Sequence, residues 1–233
     1  MQSQLRQIVY KATSAINRVS GGNRVLPTSI EFPNYVCNSI GGVASTSVFD
    51  FLTDSLPKVT ENHFARGASQ WKHTPFPPIS PSIRKGIFIF GDPLQATVSL
   101  FRRNLCRVHL SNKGLPSFQM TLEEYLELSH DVFRTSEHIA NWTAGSPQYP
   151  ILCVKSDVVF EHAAEICDFF GIGAKRGNFP VRQERNISKD LGEIIGEKKR
   201  EKLEAILSDA VRLYTDLPEF FIASPKSDEP TGS

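Results

Sequence analysis

Cysteine is scarce and never clustered: Cys37, Cys106, Cys153 and Cys167 stand far apart, with no Cys-x-x-Cys among them. That spacing argues against a zinc module. Three of the four sit in apolar strand or helix settings, where cysteine behaves as a small core residue. An excess of charge of one sign is missing too. Lys and Arg number 26 against 25 Asp and Glu, a net charge of +1. No global electrostatic case exists for nucleic acid or an anionic membrane surface, so any anion site must be local. No apolar run is long enough to span a bilayer. The first twenty residues, MQSQLRQIVYKATSAINRVS, lack the apolar stretch of a signal peptide. A reduced, cytoplasmic setting is the expectation. Finally, no Gly-Lys-Ser/Thr ends a glycine-rich loop, which disfavours an ordinary ATP or GTP hydrolase, because the lysine of that motif reaches the terminal phosphates.

What is present is an α/β pattern. The 233 residues are 40% hydrophobic, enough for one sizeable domain, expected over 1–223, with a polar disordered tail at 224–233. Leu5, Ile8, Val9, Ala12 and Ile16 recur at helical spacing. Tyr35-Val36-Cys37 reads as a strand. The helix after it runs from about Thr46 to Leu56, before Pro57. Gly86-Ile87-Phe88-Ile89-Phe90 is a continuous apolar run, as a strand buried on both faces requires. Asp92-Pro93 reads as the cap and first residue of the next helix. Thr121 and Glu124 form a capping box, and a helical segment spans about Val132 to Thr143. Pro150 to Lys155 is another buried strand. Ser156-Asp157 opens a helix ending at Phe169-Phe170-Gly171, and one long charged helix is expected from about Lys189 to Thr215. Crossover helices between buried strands imply parallel pairing. The expected architecture is therefore α/β, with a central, mainly parallel sheet flanked by helices; its three-layer P-loop form is what the family resemblance described below implies.

The candidate chemistry starts after the first strand. Ser39, Ile40, Gly41, Gly42, Val43, Ala44, Ser45, Thr46 and Ser47 form a Gly-rich turn leading into a helix. A strand, such a loop and a helix place backbone N–H groups and a positive helix end against a phosphate. Glycine permits the close approach, and the hydroxyls add donors. The plainer alternative is a strand-to-helix turn merely capped by serine. Three more segments follow in order: Trp71-Lys72-His73-Thr74-Pro75 in an irregular stretch; Phe88-Ile89-Phe90-Gly91-Asp92-Pro93 with Ser99 in the following helix; and Ile151 to Val158 with the helix ending Phe169-Phe170-Gly171-Ile172.

Taken together, these four segments resemble the sulfotransferase family that uses the donor PAPS (3′-phosphoadenosine 5′-phosphosulfate, product PAP). The match covers roughly residues 34–172. The resemblance implies that Ser39 to Ser47 cradle the 5′-phosphosulfate. It implies that His73 is a base for the acceptor proton and that Lys72 neutralises charge on the transferring sulfuryl group. It also implies that Ser99 holds the 3′-phosphate, with Arg176 or Arg182 as a clamp. The family's arginine before Asp-Pro is Gly91 here, and no basic residue lies between Ser39 and Ser47. The acceptor would be a small molecule or glycan carrying a hydroxyl or amine. It would be held by residues 57–84 and the helical insert at 107–145, with no metal required. Nucleic acid is not an expected partner. A protein that kept such a fold as a nucleotide- or protein-binding module is the alternative.

Overall fold

The computed structural model describes residues 34–43, 45–56, 73–79, 81–144, 148–181 and 191–224. The expected N-terminal helix, Trp71, Lys72, Ala44, Arg182 and the tail from 225 lie outside them.

The described elements run β1 (Tyr35–Ser39), α1 (Thr46–Ser55), β2 (Lys85–Phe90), α2 (Pro93–Arg102), α3 (Cys106–Asn112), α4 (Leu122–Glu127), α5 (Thr135–Thr143), β3 (Ile151–Lys155), α6 (Ala163–Phe170), a 3₁₀ turn (Gly173–Asn178), α7 (Leu191–Ile195), α8 (Glu197–Ile206), α9 (Ser208–Asp216) and β4 (Phe220–Ala223). They form an α/β fold around an open four-stranded sheet in the order β1-β2-β3-β4. The first three strands pair in parallel, and β4 adds antiparallel to β3.

Ring contacts and register show which helices cover which face. Residues of β2 from Gly86 to Phe90 are all buried, so both faces are covered. Phe88 stacks on Trp142 of α5 at 5.5 Å, and Phe90 meets Tyr214 of α9 edge-on at 6.3 Å. Helices α5 and α9 therefore lie on the Phe88 face. Tyr35 pairs with Lys85 in register, which puts its side chain with Ile87 and Ile89 on the other face. There it touches Phe170 of α6 at 5.8 Å. Phe51 of α1 meets Phe179, which closes the 3₁₀ turn after α6, at 4.9 Å. Burying each of these Ile and Phe side chains contributes roughly 2 kcal/mol, which is why the apolar run of β2 sits at the middle of the sheet.

A second apolar cluster lies beside the sheet. It gathers Leu94 and Val98 of α2, Cys106 and Leu110 of α3, Tyr125 and Leu126 of α4, Phe133, and Leu203 and Leu207 of the C-terminal helices. All four cysteines are buried and none is in a disulfide, one more in the core than the three expected there.

Three expectations are corrected. The long helix at 189–215 is three helices: Gly196 takes φ +85°, a left-handed value that ends α7, and the chain breaks again at Leu207. The helix placed at Val132 begins at Thr135, because Arg134 adopts φ 51° and the Asp131 carboxylate accepts from the Phe133 and Thr135 N–H groups. The helix expected to open at Ser156-Asp157 begins at Ala163, after a run of turns.

Candidate anion site at the carboxyl edge

Ligands of open parallel sheets bind beyond the carboxyl ends of the strands. At that edge the Gly-rich loop leaves β1. Gly41 and Gly42 take φ +87° and +75°, two successive left-handed residues that turn the chain sharply. The fit is close on all sides. A Cβ on Gly42 would stand 2.5 Å from the Ala96 carbonyl oxygen of α2, and one on Gly41 would stand 2.5 Å from Cε1 of His109. Val43 is buried against Gly91, where a Cβ would meet Ser156 Oγ at 2.4 Å and Val43 Cγ1 at 2.8 Å. An arginine at 91 thus has no room while Ser156 and Val43 hold these positions.

Ser45 does not cap α1. Its hydroxyl donates instead to Ser39 Oγ at 3.0 Å, so the cap residue's side chain accepts nothing from the first turn. The first N–H groups of a helix have no partner within it, and α1 has no acidic residue in its first turn either. Thr46 and Ser47 are exposed there. The reading of this loop as a serine-capped turn is therefore corrected: the hydroxyl that could cap the helix points elsewhere.

His73 reaches the same strand end. Its Nδ1 lies 2.8 Å from the Ser39 carbonyl oxygen and 3.5 Å from Ser39 Oγ. A carbonyl only accepts, so Nδ1 carries the proton and, in the neutral ring, Nε2 carries the lone pair. The segment after His73 is tied down by several donors. Asn38 Nδ2 donates to the Thr74 carbonyl and hydroxyl at 3.1 Å each, and Trp142 Nε1 donates to the same carbonyl at 2.9 Å. Asn141 Nδ2 holds the Pro75 carbonyl at 3.1 Å, and the Tyr149 hydroxyl holds that of Pro78 at 3.0 Å.

Behind the loop lies a buried basic cluster that the sequence did not single out. His109 is 2% exposed and His138 is fully buried. Nε2 of His138 donates to Asn38 Oδ1 at 2.7 Å, since Asn38 already donates through its nitrogen. His138 Nδ1 and His109 Nε2 are buried without a hydrogen-bond partner. Leaving such a group dry costs about 1–3 kcal/mol. Burial above all, then nearby positive charge from Lys113, holds both imidazoles well below the usual histidine range, so they are neutral. Lys113, one helical turn beyond His109, donates to the Phe133 carbonyl at 2.6 Å, and burial pushes its ammonium down to about 8. The rings of His73 and His109 stand 4.9 Å apart. The only sequence signal for this cluster was the i,i+4 spacing of His109 and Lys113, which puts both on one face of a helix.

The remaining candidates spread out. Ser99 is half-buried on α2, one turn beyond the Gly42–Ala96 contact. Arg176 is exposed in the 3₁₀ turn after α6, whose end lies at the amino edge of the sheet, where the Lys85 ammonium donates to the Phe169 carbonyl. Lys175 beside it reaches the Asp54 carbonyl near the C-terminus of α1, the helix end remote from the loop. The structure does not bring Arg176 together with the Gly-rich loop. A cleft of ≈ 490 Å³ lies elsewhere, between the far end of α2 and α4 and α7, lined by Val98, Phe101, Met120 and Ile194 among others. Among the described residues no cluster of His, Cys, Asp and Glu has metal-binding geometry, and no helix is long and apolar enough to cross a membrane.

No family model, curated protein or solved structure matches this chain.

Proposed function

We propose that this chain is a sulfotransferase-like enzyme that moves a sulfuryl group from PAPS to a hydroxyl or amine on a small molecule or glycan. The observation that carries the reading is the uncapped start of α1 behind two left-handed glycines, with His73 anchored to the same strand end. Backbone N–H groups of the loop and first turn would hold the 5′-phosphosulfate. The acceptor oxygen would attack sulfur in line, its proton passing to Nε2 of His73. The bond from sulfur to the bridging phosphate oxygen would break, and PAP would leave with the electron pair. Loop N–H groups would stabilise the charge that develops on that oxygen.

The 3′-phosphate side fits less well. Ser99 is near, but Gly91 brings no cation and Arg176 lies at the other end of the sheet. That favours one second reading: a domain that binds a nucleotide or a protein without transfer. Calorimetric titration with PAP beside ADP and ATP separates the two. Micromolar PAP binding with weak ATP binding supports the donor site; no binding of any of the three rejects it. His73→Ala should abolish turnover and leave PAP binding intact, and unchanged turnover would remove His73 from the chemistry.

A further inference from the structure

The Gly-rich loop has no lysine, yet an anion seated on it would need a cation close by. The structure offers a protonatable ring from outside the loop. We propose that His109 is a ligand of the anion held by the Gly41–Ser47 turn and takes up a proton when that anion binds, replacing the missing lysine. This rests on the phosphate-site reading above and gives that site its charge.

Three observations converge on it. The ring of His109 lies against Gly41 so closely that any side chain there would strike Cε1. Its Nε2 is buried and without a partner, as a group kept for a ligand would be. The helix that starts beyond the turn has no side-chain cap and no acid in its first turn. The titratable and charged groups that reach His109 are Lys113 on its own helix, His73 from the segment tied to β1, Arg103 from the end of α2, and His138 from α5. Among the described residues none of these groups is a carboxylate. Burial first, and then these positive neighbours, oppose a proton on His109 in the free protein. A sulfate or phosphate oxygen at the turn supplies the missing negative charge and an acceptor for Nε2–H. Proton uptake follows from linkage: a ring neutral in the free protein and protonated in the complex binds one proton with the anion. Affinity then falls by up to about tenfold per pH unit as pH rises through the complex's imidazole titration.

Inorganic sulfate is the first probe because it exchanges no proton near neutral pH. Calorimetry of sulfate and of PAP in two buffers of different ionisation enthalpy reads the uptake directly. Near pH 7 the wild-type chain should take up close to one proton per anion. His109→Gln should lose the uptake and bind about tenfold more weakly, while His73→Ala keeps it. Binding without uptake, or uptake retained in His109→Gln, overturns the proposal. Sulfate binding with uptake, but without PAP binding, keeps the role of His109 and rejects the PAPS donor. No binding of either overturns both. Should His109→Gln fail to fold, the imidazole nitrogen resonances of the wild-type chain decide: His109 must become doubly protonated on adding sulfate, and a ring that stays neutral overturns the assignment.

Discussion

Two helices start at the same edge of the sheet and treat their first turns in opposite ways. Helix α2 is closed by its own acid: Asp92 Oδ1 accepts from the N–H groups of Leu94 at 2.7 Å and Gln95 at 3.4 Å. Pro93, with no N–H to satisfy, follows at the first helical position. Helix α1 has a serine in the matching place whose hydroxyl turns to Ser39, and its first turn carries no acid. One positive end is closed by a carboxylate of its own cap; the other has neither a capping side chain at Ser45 nor an acid in its first turn. The contrast shows that the same secondary-structure junction is structural in one place and a candidate site in the other, and that the capping side chain decides which.

The strongest way to break this contrast is to fill the space at Gly42. Gly42→Ala combines a left-handed backbone with a Cβ driven into the Ala96 carbonyl, so it should lower stability by roughly 3 kcal/mol and abolish sulfate binding. Urea denaturation and calorimetry check both. Next in size is Asp92→Ala, which opens α2 to resemble α1. It should cost about 1 kcal/mol and leave sulfate binding at α1 within twofold or so; a large loss of binding would mean the two helix ends act together. Thr46→Asp runs the other way, giving exposed α1 an acid in its first turn. It should raise stability by about 0.5 kcal/mol and weaken sulfate binding at least about tenfold, opposite signs that a merely damaged fold cannot produce.

The smallest effect is one of pH. Burial, against the pull of the two N–H groups, holds the Asp92 carboxyl above its usual range. A folded-state value raised above the unfolded one contributes stability below the unfolded titration and loses it as pH rises through the folded one. Compared with Asp92→Asn, which keeps Oδ1, the wild-type chain should therefore lose ground between pH 3 and pH 7. Paired urea midpoints at the two pH values test this; a gain for the wild type would show that the hydrogen bonds outweigh burial.

The parts of the fold legible in the sequence were those set by local chemistry. The apolar run at 86–90 became the central strand, Asp92-Pro93 a capped helix start, Thr121 and Glu124 a reciprocal capping box, and Gly171 a left-handed helix end at φ +72°. What was not legible depends on distant pairing. Phe220-Phe221-Ile222 reads as a stray apolar patch until β3 is there to receive it antiparallel. Charged residues in a helical pattern, paired in α8 as Arg200–Glu204, run past Gly196 in the sequence, and only the backbone reveals the break there. The loop was singled out by its order of strand, glycines and helix, and His73 by the family resemblance. His109, Lys113, His138 and Asn38 were not, because they meet only once the strand, the helical insert and α5 have folded together. Arg176 was picked for its charge, and charge carries no address within a fold.

Helices α2 and α9 each belong to two apolar clusters. Ala96 and Ala210 pack with the sheet, while Leu94, Val98 and Val211 pack with the helical insert. The insert therefore cannot detach as an independently melting unit, because lifting it away would strip two helices from the sheet as well. Amide protons along α2 should exchange with solvent only when the whole molecule opens. A bound anion that slows that opening would do so for both clusters at once, so occupancy at one corner of the molecule would be readable in the exchange of helices that never touch it.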